Sequence, residues 1–108
     1  MKQHTTPEQT FKLISLGCDK PKHFIEGPTF LDSGYAYTIG ELIEILPKQL
    51  DNPYKPPLAM EFNGAWRVYY GVPEDYSWEW SIWYEEERNE LIDALYEMII
   101  KLKEEGVI

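Results

Sequence analysis

The side chains best suited to chemistry fall into four groups. Cys18, Asp19 and His23 stand within six residues of one another and are the types that hold a soft metal or pair a thiol nucleophile with an imidazole base. A closed zinc site needs four such ligands, and the only other histidine is His4, so the ligand count argues against a metal. The thiol has no recognisable orienting Asn or Asp and no oxyanion-hole motif beside it, and Cys18 is expected as a small apolar residue behind the first helix. Glu61, Asp75 and Glu79 offer carboxylate pairs of the kind that hydrolyse glycosides, with tryptophans as sugar platforms. Among 19 acidic residues such pairs arise by chance, and solvated acids on an outer sheet face are the plainer expectation. Gly64 and Gly71 are assigned to turns rather than to a phosphate loop, so no catalytic residue, metal or cofactor is expected.

The third group is aromatic. All four tryptophans lie between Phe62 and Tyr84. Tyr76, Trp78, Trp80, Ile82 and Tyr84 alternate with Ser77, Glu79, Ser81 and Trp83, which predicts a strand whose first set packs on helices. Trp83 then falls on the outside with Glu79, and Trp66 pairs with Glu61. Aromatic anchors beside acid are typical of a protein contact, so Trp66, Trp83, Glu61 and Glu79 form the candidate interaction surface. The fourth group is the acidic run Glu85, Glu86, Glu87 with Glu90, read as complementing the positive end of a helix or, alternatively, as an acidic mimic of nucleic acid.

These groups need elements to position them. Thr6, Pro7 and Gln9 spell a capping box and a helix from Pro7 to Leu16, with Phe11, Leu13, Ile14 and Leu16 as its apolar stripe and Gly17 as its stop. Residues 19–37 read as a loop with a short edge strand, because Pro21, Gly27, Pro28 and Asp32-Ser33-Gly34 interrupt them. Thr38 and Glu41 form a second capping box, and Ile39, Leu42, Ile43 and Leu46 line one face of a helix ending near Pro47 or Leu50. From Leu58 the period becomes two. Asn63-Gly64 marks a hairpin in which a two-residue turn would pair Phe62 with Ala65, Glu61 with Trp66 and Met60 with Arg67. A last helix runs from Glu85 or Arg88 to Glu105, stopped by Gly106 with Val107 in a Schellman contact. Its second apolar line, Tyr96 and Ile100, offers a homodimer surface.

At 108 residues the chain fits one domain, 1–108, with a single core. The net charge is −9, divided unevenly: residues 1–60 carry six basic and seven acidic side chains, 61–108 four and twelve. That balance argues against direct nucleic-acid binding, which would need a local basic patch, and favours a basic protein partner. One cysteine, no apolar leader and no run long enough to span a bilayer suggest a cytoplasmic chain away from membranes.

The pieces TPEQTFKLISLGCDKPK, YTIGELIEILP and LIDALYEMIIKLKEEGVI together cover about half of the chain. In them it resembles small proteins carried by phages and mobile elements of gut anaerobic bacteria. The resemblance implies a small standalone accessory protein and brings no activity, cofactor or site residue. The expected fold is α+β: a three-stranded antiparallel meander, one face covered by three helices. The expected function is a non-enzymatic protein-interaction module. The alternatives are a small-ligand or carbohydrate-binding domain using exposed tryptophans, or the acidic nucleic-acid mimic.

Overall fold

The computed structural model describes residues 2–26, 34–73 and 80–108. Within them lie α1 (Pro7–Ser15), β1 (His23–Ile25), β2 (Gly34–Ala36), α2 (Ile39–Ile45), β3 (Leu58–Phe62), β4 (Trp66–Pro73), β5 (Trp80–Arg88) and α3 (Leu91–Glu104). β1 and β2 pair as a two-stranded antiparallel sheet, and β3-β4-β5 form an antiparallel meander, giving an α+β fold.

Both capping boxes close as the sequence implies. Thr6 Oγ1 accepts the Gln9 amide at 3.2 Å while Gln9 Oε1 accepts the Thr6 amide at 3.0 Å, and Thr38 and Glu41 repeat the exchange at 3.2 and 3.1 Å. The apolar stripe expected on α1 is narrower than the spacing suggests. Leu13 is fully buried, but Phe11 is 74% exposed and Ile14 also stands at the surface. The second inward position is Thr10, whose hydroxyl finds partners in Thr5 and Thr6. A buried hydroxyl is tolerated where its hydrogen bonds are made, so a polar residue occupies a place that hydrophobicity alone gives to Phe11. α2 stops at Ile45 because Pro47 forces the residue before it out of the helical region, and Leu46 is extended with ψ 135°.

The last helix is the spine of the core. Leu91, Ile92, Ala94, Leu95, Met98, Ile99 and Leu102 pack with Leu13, Tyr37, Leu42, Leu46, Leu50, Val68 and Tyr70. Each large apolar side chain buried this way contributes about 1.5–3 kcal/mol. Tyr96 and Ile100 are themselves half-buried against that cluster rather than standing free. The expected Schellman ending is present: Val107 N donates to Leu102 O at 2.8 Å, Gly106 N to Lys103 O at 3.2 Å, and Gly106 has φ +72°.

Three expectations for the meander are corrected. First, Phe62 pairs with Trp66, Glu61 with Arg67 and Met60 with Val68, one residue out of the two-residue-turn register. Asn63 N donates to Ala65 O at 3.0 Å around Gly64 at φ +76°, so the turn takes in Ala65. A one-residue slip exchanges every opposite neighbour, and here it brings Arg67 rather than Trp66 beside Glu61. Second, Gly71 is not in a turn but inside β4, opposite Ile82, where a Cβ would lie 2.9 Å from the Ser81 carbonyl oxygen. Tyr70 pairs with Tyr84 and Gly71 with Ile82, so Trp83 is the extra residue of a bulge. The bulge breaks the alternation read through Ile82 and Tyr84; Tyr76 and Trp78 lie outside the described residues. Third, Glu85, Glu86 and Glu87 do not open the last helix. They extend β5, and α3 begins at Leu91 with Asp93 as the acid of its first turn.

Candidate functional site

Antiparallel pairing sorts the meander into two faces. Leu58, Met60, Phe62, Trp66, Val68, Tyr70, Tyr84, Glu86 and Arg88 turn toward α3, and Ala59, Glu61, Arg67, Tyr69, Glu85 and Glu87 share the opposite face, on which Glu61, Glu85 and Glu87 are exposed and Tyr69 is buried. Arg67 organises the outer face. Its Nη1 donates to Glu61 Oε1 at 2.8 Å and its Nε to Glu85 Oε1 at 2.7 Å, while its guanidinium carbon lies 4.4 Å from the Tyr69 ring centre. The bonds to Glu85 and then Glu61 raise the guanidinium pKa further above its ordinary range. Glu87 lies opposite Arg67 across the strands, so three carboxylates surround one cation.

Glu86, the middle of the acidic run, points the other way. Its carboxylate is largely shielded beneath α3, bonded by Lys101 Nζ at 2.7 Å and Arg88 Nη1 at 3.0 Å. A carboxylate on the helix-facing side is tolerable because two cations meet it there.

Of the four residues proposed from the sequence, Glu61 is on the outer face and Trp66 on the opposite one. Trp66 packs on the core, with its ring 5.2 Å from that of Phe62. Trp83 stands at the bulge, five residues along β5 from the partner of Trp66, roughly 16 Å away at strand rise. Its ring is 5.5 Å from that of Tyr54, and it lines a cleft of about 450 Å³ with Pro47, Gln49, Leu50, Asp51 and Asn52. Glu79 lies outside the described residues, as does Asp75. Sequence reasoning missed Arg67 and Tyr54, and it read Glu85 and Glu87 as the acidic start of a helix or a nucleic-acid mimic rather than as strand residues beside Glu61. Arg67 was legible as the only base within the hairpin strands, but the assumed register set it opposite Met60.

A second polar corner lies around α2, in a cleft of about 540 Å³ that includes Asp19, His23, Tyr37, Thr38 and Glu41. Glu41 accepts from Lys22 N at 3.0 Å, His23 Nδ1 at 2.9 Å and Thr38 N at 3.1 Å. Partial burial pushes its pKa up, but the bonds from Lys22, Thr38 and His23 outweigh that and hold it below the usual carboxylate range. Tyr37 donates its hydroxyl to Asp19 O, and its pKa is pushed up to about 12 by burial first and then by Cys18, Glu41 and Asp19. Burial likewise raises the Cys18 thiol, against a smaller lowering by Lys103. A thiol held protonated is a poor nucleophile, and Glu41 is occupied in capping a helix and tethering β1. The corner is built as a structural clasp. Among the described residues no three His, Cys, Asp or Glu side chains are placed to hold a metal ion, and no helix is long and apolar enough to cross a membrane. Compared with protein-family models, curated proteins and solved structures, the chain shows no match.

Proposed function

We propose that the protein is a non-enzymatic interaction module that binds a basic protein partner through the outer face of its three-stranded sheet. The observation that carries this reading is the outward ladder of Glu61, Glu85 and Glu87 around a single Arg67. Three carboxylates and one guanidinium sum to −2 within one patch of a chain whose net charge is −9. Such a patch attracts a cationic surface over about a Debye length, roughly 8 Å at physiological salt. The aromatic pair Trp83 and Tyr54, both exposed, stands apart from this patch, with Trp83 in the cleft that it shares with Tyr84, Val107 and Ile108.

The test is affinity capture from cells that make the protein, comparing the native chain with a Glu61→Lys, Glu87→Lys variant whose melting curve demonstrates folding. A partner held by the native chain, released by salt and lost by the variant supports the reading. Identical partners on both would remove the outer face from consideration.

A second reading is favoured by the Trp83 cleft, where an aromatic ring stands beside Gln49, Asp51 and Asn52, a combination suited to stacking and hydrogen bonding a small sugar. A saccharide at a hundred times its Kd would stabilise the fold by about 2.7 kcal/mol in a thermal-shift screen. A flat response across sugars rejects it.

A further inference from the structure

Two hydrogen bonds fix which way the main-chain groups of β3 point. Leu58 N donates to Lys48 O at 2.9 Å, away from β4, while Asn63 N donates to Ala65 O on the β4 side at 3.0 Å. Main-chain groups alternate along a strand, so even-numbered positions of β3 point outward and odd-numbered ones face β4. The amide and carbonyl of Met60 and of Phe62 therefore lie on a free edge, and no described residue hydrogen-bonds to them there. Among the described residues, Lys48 to Leu50 cover the beginning of the strand and no more, through the Gln49 and Pro57 bridge.

The two sides of this edge differ chemically. On the α3 side, Met60 is 39% and Phe62 61% exposed, and with Trp66 they continue the core past the helix, which packs on β4 and β5. On the outer side stands Glu61, half-exposed and in line with Arg67, Glu85 and Glu87. A strand laid along the edge would have alternate side chains against apolar surface and against carboxylate.

Resting on the interaction-module reading above, we propose that the free edge of β3 takes an extended segment of a partner protein as a fourth strand. In that segment apolar residues alternate with Lys or Arg: the apolar set packs beside Met60 and Phe62, and the basic set pairs with Glu61 and the acids behind it. A second copy of this chain is a poorer occupant. The two-fold register that engages both free positions, Met60 against the Phe62 of the other copy, puts Glu61 directly opposite Glu61, and like charges so placed are destabilising. Each copy also carries a net charge of −9.

The probe is a fluorescently labelled peptide of alternating Lys and Val, titrated with the full chain and followed by anisotropy. It is expected to bind more weakly as salt rises, and an alternating Glu and Val peptide is expected to bind at least about tenfold more weakly. Met60→Pro removes one outward N–H and leaves the ladder to β4 intact, since that N–H takes no part in it. It should weaken the Lys and Val peptide by about tenfold, one hydrogen bond's worth plus the ring's intrusion. Should that variant fail to fold, Glu61→Lys serves in its place and should reverse the preference toward the Glu and Val peptide.

No binding of the Lys and Val peptide to the native chain overturns the proposal. So does a folded Met60→Pro that binds as the native chain does, or a dimer abolished by Met60→Pro, which would name a second copy as the occupant. A captured partner lost on Glu61→Lys, Glu87→Lys but retained on Met60→Pro would reject the edge and leave the outer face standing.

Discussion

Replacing Thr5 by valine conserves shape and deletes one hydroxyl at the junction of the N-terminal segment, α1 and β2. Thr5 is 1% exposed, and its Oγ1 accepts the Tyr37 amide at 3.0 Å and lies 2.6 Å from Thr10 Oγ1. Thr10 Oγ1 is in turn 2.8 Å from Thr6 O. A carbonyl has no proton to give, so Thr10 donates to Thr6, Thr5 must donate to Thr10, and the lone pairs of Thr5 are left for Tyr37. Thr5→Val therefore strands the buried Tyr37 N–H, which costs about 1–3 kcal/mol. For a domain of this size that lowers Tm by roughly 4–15 °C. Thr10→Val strands only the Thr5 hydroxyl proton, because Thr6 O still accepts the Thr10 amide at 2.9 Å, and should cost about 0.5–1.5 kcal/mol. In the double variant that proton no longer exists. Its cost should match Thr5→Val alone, about 0.5–1.5 kcal/mol short of the sum of the single variants. Urea denaturation of the four proteins measures all three quantities. Additive losses, or a Thr10→Val more damaging than Thr5→Val, would refute the assigned order of protons.

Gly71→Ala drives a methyl to 2.9 Å from the Ser81 carbonyl and 3.2 Å from Ile82 Cγ1, so it should destabilise by about 1–3 kcal/mol; an unchanged melt would mean the bulge yields freely. Trp66→Ala, which removes a ring packed on the core, should cost about 2 kcal/mol or more, whereas Trp83→Ala at the exposed bulge should cost about 1 kcal/mol or less; equal denaturation midpoints would contradict the placement of Trp66. Glu41 has a folded pKa below its unfolded value, so the unfolded state binds more protons as pH falls through that window. Its contribution is present above the unfolded pKa, about 4.3, and lost as pH drops through the folded value. Glu41→Gln should therefore flatten the acid limb of stability against pH measured in urea, and parallel limbs would count against the clasp.

The parts of this fold that were legible are those decided within a few residues. Thr6 with Gln9, Thr38 with Glu41 and Gly106 with Val107 each settle a helix end through bonds spanning three to five positions, and the chain carries that information locally. The existence of a hairpin at Asn63-Gly64 was equally local. What misled was periodicity taken without partners. Phe11 and Ile14 satisfy the spacing of a buried helix face, yet Thr10 is the residue turned inward, because Thr5 waits there with a hydrogen bond.

The candidate site was the least legible part, for the same reason. The residue types that matter, acids and aromatics between Glu61 and Glu87, stood out by composition alone. Whether Glu61 faced Trp66 or Arg67 turned on one residue of register, and the bulge at Trp83 reversed the alternation that followed it. The caps, the hairpin and the excess of negative charge in the second half follow from neighbours along the chain and are therefore readable residue by residue. That Glu85 to Glu87 are strand rather than helix depends on long-range packing, because their cations, Arg67 for Glu85 and Lys101 for Glu86, are brought to them from 18 and 15 residues away.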